Sequence, residues 1–354
     1  HGIAYQYARE AFPEASFLRL GMTYPLPKAL IADFARRVER LIVIEELDPT
    51  IEEELRFMGI ACEGKSIFPL VGERSPEVVR ASAVDAGLLS ATDGGHMALD
   101  LPALPARPPV LCPGCPHRGI FSVARKLKLV VNGDIGCYTL GFLPPLSALH
   151  SCGCMGASIG VAHGVSKAGI RQRNIAVIGD STFYHSGIPA LLNTVYNGSD
   201  TITIILDNRT TAMTGHQQHP GTGRTLQQRE TPAADLESVV RALGVARVST
   251  IDPYDAALVE RTLREHLALS GPSVIIARRP CALLPEARRG YQALRIDASK
   301  CIACGTCRRV GCPAIVLSDE VYEKTGRQKS TIDPLLCTGC EICAQVCPVN
   351  AILF

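Results

Sequence analysis

The 354-residue sequence predicts an α/β protein built on a doubly wound parallel sheet, preceded by a second α/β segment and followed by a small cysteine-rich α+β module. Three observations predict it. Short apolar runs alternate with amphipathic stretches between residues 111 and 280, the succession that lays parallel strands beneath covering helices. A similar alternation, in weaker form, occupies residues 1–90. Beyond both, eight of the fifteen cysteines crowd between residues 301 and 347, and another five fall between 112 and 154.

Taken in order, Ser16–Leu20 and Leu41–Glu45 have strand-like composition, and Pro27–Arg40 has helical spacing. Glu52–Met58 reads as a further helix and Glu77–Ser82 as a short strand. Residues 91–110 are rich in glycine and proline without periodicity, which suits a linker. Met155–Ala168 is a small-residue helix, followed by strand Asn174–Ile178, helix Ile188–Tyr196 and strand Thr201–Leu206. Ala233–Leu243 and Asp255–Leu269 are amphipathic helices bracketing a strand near Ala246–Ser249, and Ser273–Ala277 is a last apolar strand. The expected domains are 1–90, 111–290 and 291–354, with the linker at 91–110.

A formal charge of +2, with acidic and basic residues interspersed, supplies no field of the kind nucleic-acid binding needs. No apolar run approaches the length of a membrane span. His1 opens into ordinary mixed sequence without a signal peptide, so the chain is expected to be cytoplasmic and to be a piece whose start lies upstream. Clustered C-x-x-C spacing in such a chain points to metal in a reducing compartment rather than to a disulfide framework.

The cysteine spacing carries the clearest chemistry. Cys301, Cys304, Cys307 and Cys312-Pro313 form one motif; Cys337, Cys340, Cys343 and Cys347-Pro348 form the other. Bacterial two-cluster ferredoxins use C-x2-C-x2-C-x3-C-P, with the fourth cysteine serving the other cluster. The assignment is therefore cluster I on Cys301, Cys304, Cys307 and Cys347, and cluster II on Cys337, Cys340, Cys343 and Cys312, each a [4Fe–4S] group. The first motif carries one extra residue, at Val310-Gly311. Paired zinc sites also use C-x2-C, but two triplets each followed by Cys-Pro fit zinc badly.

Gly179-Asp180-Ser181 closes the strand at 174–178, and Asp207-Asn208 closes the strand at 201–206. Both would lie on the carboxyl edge of one parallel sheet, where open α/β sheets bind ligands. A hard Mg2+ there takes oxygen ligands, and Asp180, the Asn208 amide and the Thr210 carbonyl supply them. The two motifs resemble the G-D-G and N-N signature of thiamine diphosphate enzymes, with Ser181 replacing a glycine and Asp207 the first asparagine. Taken alone, G-D-S and D-N also occur as ordinary surface turns.

Further segments extend the resemblance: Cys112-Pro113-Gly114-Cys115-Pro116-His117-Arg118, Asp134-Ile135-Gly136-Cys137 and Thr214–Gly223 are similar to the cofactor domain of 2-oxoacid:ferredoxin oxidoreductases. With the lengthened first cluster motif, the chain resembles the large-subunit family of indolepyruvate ferredoxin oxidoreductases along essentially its whole length. The resemblance implies a thiamine diphosphate-binding sheet at 111–290, a transketolase C-terminal-like α/β domain at 1–90 and a two-[4Fe–4S] ferredoxin-like α+β domain at 291–354. It implies oxidative decarboxylation of an arylpyruvate or another 2-oxoacid, with coenzyme A, a smaller β subunit and ferredoxin as partners. It also implies an upstream pyrimidine-binding domain of roughly two hundred residues, a domain-sized unit, which these residues do not contain and which supplies the activating glutamate.

Other candidates follow from the same residues. Cys112, Cys115, Cys137 and Cys281 are candidates for a third cluster, against a structural thiol group or a zinc half-site. His117 and His216 are candidates for bonding the diphosphate or managing protons, since histidine titrates near working pH. His219 reads as structural, Cys152 and Cys154 as packing, and Cys62 as a lone thiol. The acidic runs Glu45-Glu46 and Glu52–Glu54 read as a solvated face or a domain contact. A non-catalytic electron-transfer subunit with a degenerate thiamine site is the rival reading from another class.

Overall fold

Successive side chains of a strand point to opposite faces, so a strand that is apolar throughout must be covered twice. Asn174–Gly179 and Thr201–Asp207 are such strands, buried at every residue. They lie at the centre of a six-stranded, all-parallel sheet in the computed structural model, which describes residues 1–91, 104–170, 172–288 and 290–354. The chain divides into two units, His1–Leu104 and Pro105–Phe354.

The second unit begins with α5 (His117–Lys126), β1 (Val131–Gly133) and β2 (Ser151–Cys152). There follow α6 (Ala157–Lys167), β3 (Asn174–Gly179), a one-turn α7 (Asp180–Thr182), α8 (Ile188–Tyr196) and β4 (Thr201–Asp207). After α9 (Leu236–Ala242), β5 (Arg247–Ile251), α10 (Ala256–Leu267) and β6 (Ser273–Arg278), the sheet order is β2-β1-β3-β4-β6-β5. Alternation decides the layers. Ile175, Val177, Ile202, Ile204 and Ile275 pack with Ile120, Phe121, Val259 and Leu263 of α5 and α10 on one face. Ala176, Ile178, Ile205, Val274 and Ile276 pack with Ile159, Leu191, Leu236 and Val240 of α6, α8 and α9 on the other. The sheet is doubly wound, as the alternation predicts.

One buried histidine gives this unit a pH response. His266, near the end of α10, contacts Ser249 Oγ at 2.9 Å and Ser273 Oγ at 3.1 Å. Burial, then Arg173 and Arg247, lower its pKa to about 4. The unfolded chain therefore binds a proton that the folded one refuses between pH 6.5 and about 4. Stability from this group is full above pH 6.5 and lost as the pH falls. Thermal melts should show a shallower fall over that window in His266→Gln than in wild type.

Three helices of the first unit, α1 (Gly2–Ala11), α2 (Lys28–Ala35) and α3 (Thr50–Phe57), lie where sequence spacing does not oppose them. The strand expected at Glu77–Ser82 is instead α4 (Pro76–Asp85). Ser75 caps it, its Oγ accepting from Val78 N at 3.3 Å, and Val79 and Ala83 bury one helical face. The cap and the proline at the first helical position outweigh the β preference of two adjacent valines. Ser16–Leu20 forms no strand, and Leu41–Glu45 makes only a single parallel bridge, Ile42 to Glu63. The acidic runs are not simply a solvated face. Glu45 is buried and accepts from Ile51 N and Glu52 N at the start of α3, at 2.8 and 2.9 Å, while buried Glu52 accepts from Lys65 N at 2.8 Å. Residues 92–103 of the expected linker lie outside the described residues.

The C-terminal module has two antiparallel pairs. β7 (Arg295–Ile296) joins β10 (Ile352–Leu353), and β8 (Ile315–Tyr322) joins β9 (Arg327–Ile332); α11 (Ile342–Gln345) lies in the second cysteine motif. Among the described residues, no helix is long and apolar enough to cross a membrane.

Candidate cofactor and iron–sulfur sites

Strand ends place the candidates. Parallel strands put all their carboxyl ends on one edge, so Asp134 after β1, Asp180 after β3, Asp207-Asn208 at the end of β4 and Cys281 after β6 share it. Asp180 is buried; its Oδ1 accepts from Ser181 N at 2.7 Å and its Oδ2 from Arg209 N at 2.8 Å. Arg209 adopts φ +63, which turns its amide toward that carboxylate. Asn208 Oδ1 accepts from Thr210 N at 3.3 Å, and the Asn208 carbonyl accepts from Cys281 N at 2.9 Å. Gly179 is tightly packed: a Cβ there would lie 2.9 Å from the Tyr138 ring.

The histidine at this carboxylate is His219, which the sequence reading treats as structural. Its Nε2 lies 3.2 Å from Asp180 Oδ2, and its Nδ1 accepts from Gly221 N at 3.2 Å. The Nε2–carboxylate geometry is not aligned for a hydrogen bond, so this buried nitrogen has no proper partner. Burial drives the Asp180 pKa up, with His219 pulling against it. A buried carboxylate facing an orphaned nitrogen is a site with room in its bonding scheme for a further charged group. Asp207 is different: Arg278 Nε at 2.7 Å and Arg209 Nε at 3.3 Å occupy its carboxylate. That pairing gives Asp207 two counter-charges of its own.

His117 and His216 fall elsewhere. His117, at the start of α5, is buried with its ring edge-on to Tyr138 at 6.2 Å; burial, then Arg118, lower its pKa to about 4, so it is neutral at pH 7. His216 is exposed, with φ +62, and its Nε2 lies 3.9 Å from Cys281 Sγ. Asp134, which the sequence reading quotes within a resembling segment but gives no role, is fully buried. It accepts from Tyr138 Oη, Gly156 N at 3.1 Å and Ser158 Oγ at 2.8 Å, and so ties the end of β1 to the start of α6.

The C-terminal cysteines gather into two groups. One cavity is lined by Cys301, Cys304, Cys307 and Cys347; another by Cys312, Cys337, Cys340 and Cys343. Each set thus takes its fourth cysteine from the other motif. Leu294 N donates to Cys337 Sγ at 3.4 Å and Ala351 N to Cys347 Sγ at 3.3 Å, contacts of the kind that tune cluster potentials. Burial pushes the Cys307, Cys340 and Cys343 thiols up, whereas bound iron would hold them as thiolates. Among the described residues no His, Cys, Asp or Glu trio converges on a single-ion point. A cubane cluster does not need one, because its ligands cap separate corners. The extra residue of the first motif is accommodated at Gly311, which closes a 3-10 turn (Cys307–Val310) at φ +74.

Cys112, Cys115, Cys137 and Cys281 also come together. The Cys115 and Cys137 thiols are pushed up chiefly by burial, Cys115 to about 12, and both feel Cys112 and Cys281. Cys152 and Cys154 are exposed rather than packed, and Cys62 is half-buried against the core of the first unit.

With this geometry in place, known proteins give it a context. Residues 134–277 match the family described as "Thiamine pyrophosphate enzyme, C-terminal TPP binding domain", and residues 286–351 match the "4Fe-4S dicluster domain". The indolepyruvate oxidoreductase subunit IorA of Methanothermobacter marburgensis is 39% identical over 373 residues, covering 99% of this chain and 58% of that one. The IorA of Pyrococcus horikoshii is 37% identical over 394 residues, covering 99% of this chain and 59% of that one. The chain is homologous to the IorA subunits. It spans 58–59% of these relatives' length. The thiamine match begins just after β1, spans the rest of the sheet and includes Asp180, Asn208 and Thr210; the dicluster match covers all eight C-terminal cysteines of the IorA-like chain. A solved 2-oxoglutarate:ferredoxin oxidoreductase from Magnetococcus marinus aligns with a TM-score of 0.45 at 16% identity, covering 52% of this chain and 70% of that one.

Proposed function

We propose that this chain carries the diphosphate-binding and electron-carrying parts of an oxidoreductase that decarboxylates arylpyruvates such as indolepyruvate to the acyl-CoA. The observation that carries this reading is contact within one unit between the thiamine-type sheet and the cysteine module. Gly114, inside the Cys112–Cys115 turn, lies so close to Thr338, inside the Cys337–Cys340 turn, that a Cβ there would clash at 2.2 Å. Electrons leaving a substrate at the sheet edge meet the iron-binding module directly.

In this reading Asp180, Asn208 and the Thr210 carbonyl hold Mg2+, with Gly179 and Ser181 shaping the diphosphate cradle. Thiamine diphosphate, when bound, accepts the electron pair released with CO2; the protein binds and orients it. His219, whose Nδ1 accepts from Gly221 N, keeps its Nε2 beside the Asp180 carboxylate at 3.2 Å and free to take up a further partner. His117 contributes a neutral ring beneath Tyr138, and His216 borders the Cys281 group. The two sets of four C-terminal cysteines would each hold a [4Fe–4S] group, which would supply one-electron transfer toward ferredoxin, and Cys112, Cys115, Cys137 and Cys281 would hold a third. A smaller β subunit completes the enzyme, in the cytoplasm.

The test is ferredoxin reduction by the assembled enzyme with indolepyruvate, coenzyme A, thiamine diphosphate and Mg2+. Reduction with pyruvate but not indolepyruvate would move the assignment to another 2-oxoacid; no thiamine diphosphate binding at all would reduce the chain to an electron carrier. Iron analysis of the anaerobically purified protein should give about twelve iron atoms per chain, four for each cubane. About eight would remove the third cluster, and zinc in their place would remove the clusters altogether.

A further inference from the structure

Arg118 is a buried cation with no acid beside it among the described residues. The residue is 1% exposed at the start of α5. Its Nη1 donates to the Val310 carbonyl at 3.2 Å and to that of Gly311; its Nη2 donates to the Cys112 carbonyl at 3.1 Å and to that of Leu111. Every one of these acceptors is a main-chain carbonyl, and among the described residues it forms no ion pair with a carboxylate. A guanidinium taken out of water with only neutral partners is costly unless an anion lies near. The near group is the cysteine cavity itself, for Arg118 lines the space bounded by Cys312, Cys337, Cys340 and Cys343. Its charge favours the thiolates of both Cys340 and Cys115.

A [4Fe–4S] group held by four thiolates is net negative and gains a further negative charge on reduction. A fixed, desolvated cation therefore favours the reduced form and raises the potential. The cations beside cluster I, Arg308 and Arg309, are exposed and screened by solvent and salt. We infer that Arg118 is the built-in counter-charge of cluster II, making it the higher-potential cluster and the one that receives electrons from the side of the Cys112–Cys115 turn. The same guanidinium bridges that turn to the inserted Val310-Gly311 loop, so it also fixes the spacing across which the electron passes.

This inference rests on the two-cluster reading of the C-terminal module, and iron content separates the two. At least eight iron atoms per chain establishes the clusters (about four for each) before any potential is measured. Redox titration followed by electron paramagnetic resonance then compares wild type with Arg118→Met and Arg118→Lys in the fully loaded protein. Cys337→Ser and Cys304→Ser identify the signals of cluster II and cluster I. Arg118→Met should lower the cluster II midpoint by at least a tenfold change in the reduced-to-oxidised ratio, about 59 mV for one electron, with cluster I unmoved. Arg118→Lys should restore most of the shift. Equal shifts in both clusters, or none, would overturn the inference. If Arg118→Met does not assemble, the wild type decides: cluster II must titrate above cluster I, and the reverse order rejects the assignment.

Discussion

Replacing Asp180 with alanine should weaken Mg2+-thiamine diphosphate binding by at least roughly 100-fold, about 2.8 kcal/mol. The carboxylate lies at the end of a strand buried on both faces and accepts two main-chain N–H groups that fix its direction. Asparagine at this position keeps the shape but loses the charge, so Asp180→Asn should bind nearly as poorly as Asp180→Ala. Isothermal titration with the cofactor and Mg2+ reads both. Unaltered affinity in either variant would remove Asp180 from the metal site. Asp180→Asn keeps an acceptor for the Ser181 and Arg209 amides and should melt close to wild type, whereas Asp180→Ala leaves both donors unpaired and should melt lower, so the Asn variant separates loss of cofactor from loss of fold.

A second large effect is expected from crossing the cysteine motifs. Cys312 belongs to the first motif by sequence, yet it lines the cavity with Cys337, Cys340 and Cys343. Cys312→Ala should therefore remove the signal that Cys337→Ser alters, with loss of about four iron atoms, and leave the signal altered by Cys304→Ser intact. The converse holds for Cys347→Ala. Disappearance of the Cys304-linked signal in Cys312→Ala would mean that each motif serves its own cluster, against the lining seen here.

What sequence made legible follows from where the signal is local. The strands at 174–179 and 201–207 announce themselves because burial on both faces demands continuous apolar runs, and α8 is bounded as its spacing predicts. The cysteine spacing is equally local, since a tight loop must present its thiols at fixed intervals. Pair-dependent features are not. Ser16–Leu20 has strand composition but no partner strand, and Val78-Val79 belongs to a helix because Ser75 caps it. His219 and Asp180 are thirty-nine residues apart and meet only through the loop after β4. Arg118 reads as an ordinary arginine after a cysteine turn; its partners at Val310 and Gly311 lie 192 and 193 residues away. Glu45 and Glu52 look like surface charge because nothing in sequence shows the amides they cap.

The hydrogen bond from Cys281 N to the Asn208 carbonyl has a consequence for how the protein is loaded. On the same residue, the Asn208 side chain belongs to the proposed Mg2+ set, while Cys281 belongs to the proposed third cubane. A ligand that draws on either residue therefore pulls on a shared strut. Binding free energies are reciprocal, so whatever factor iron at Cys281 imposes on cofactor affinity, the cofactor returns to iron. Apo-protein and iron-loaded protein are then different receptors for the same cofactor, and the factor that separates them is the same whichever group is loaded first.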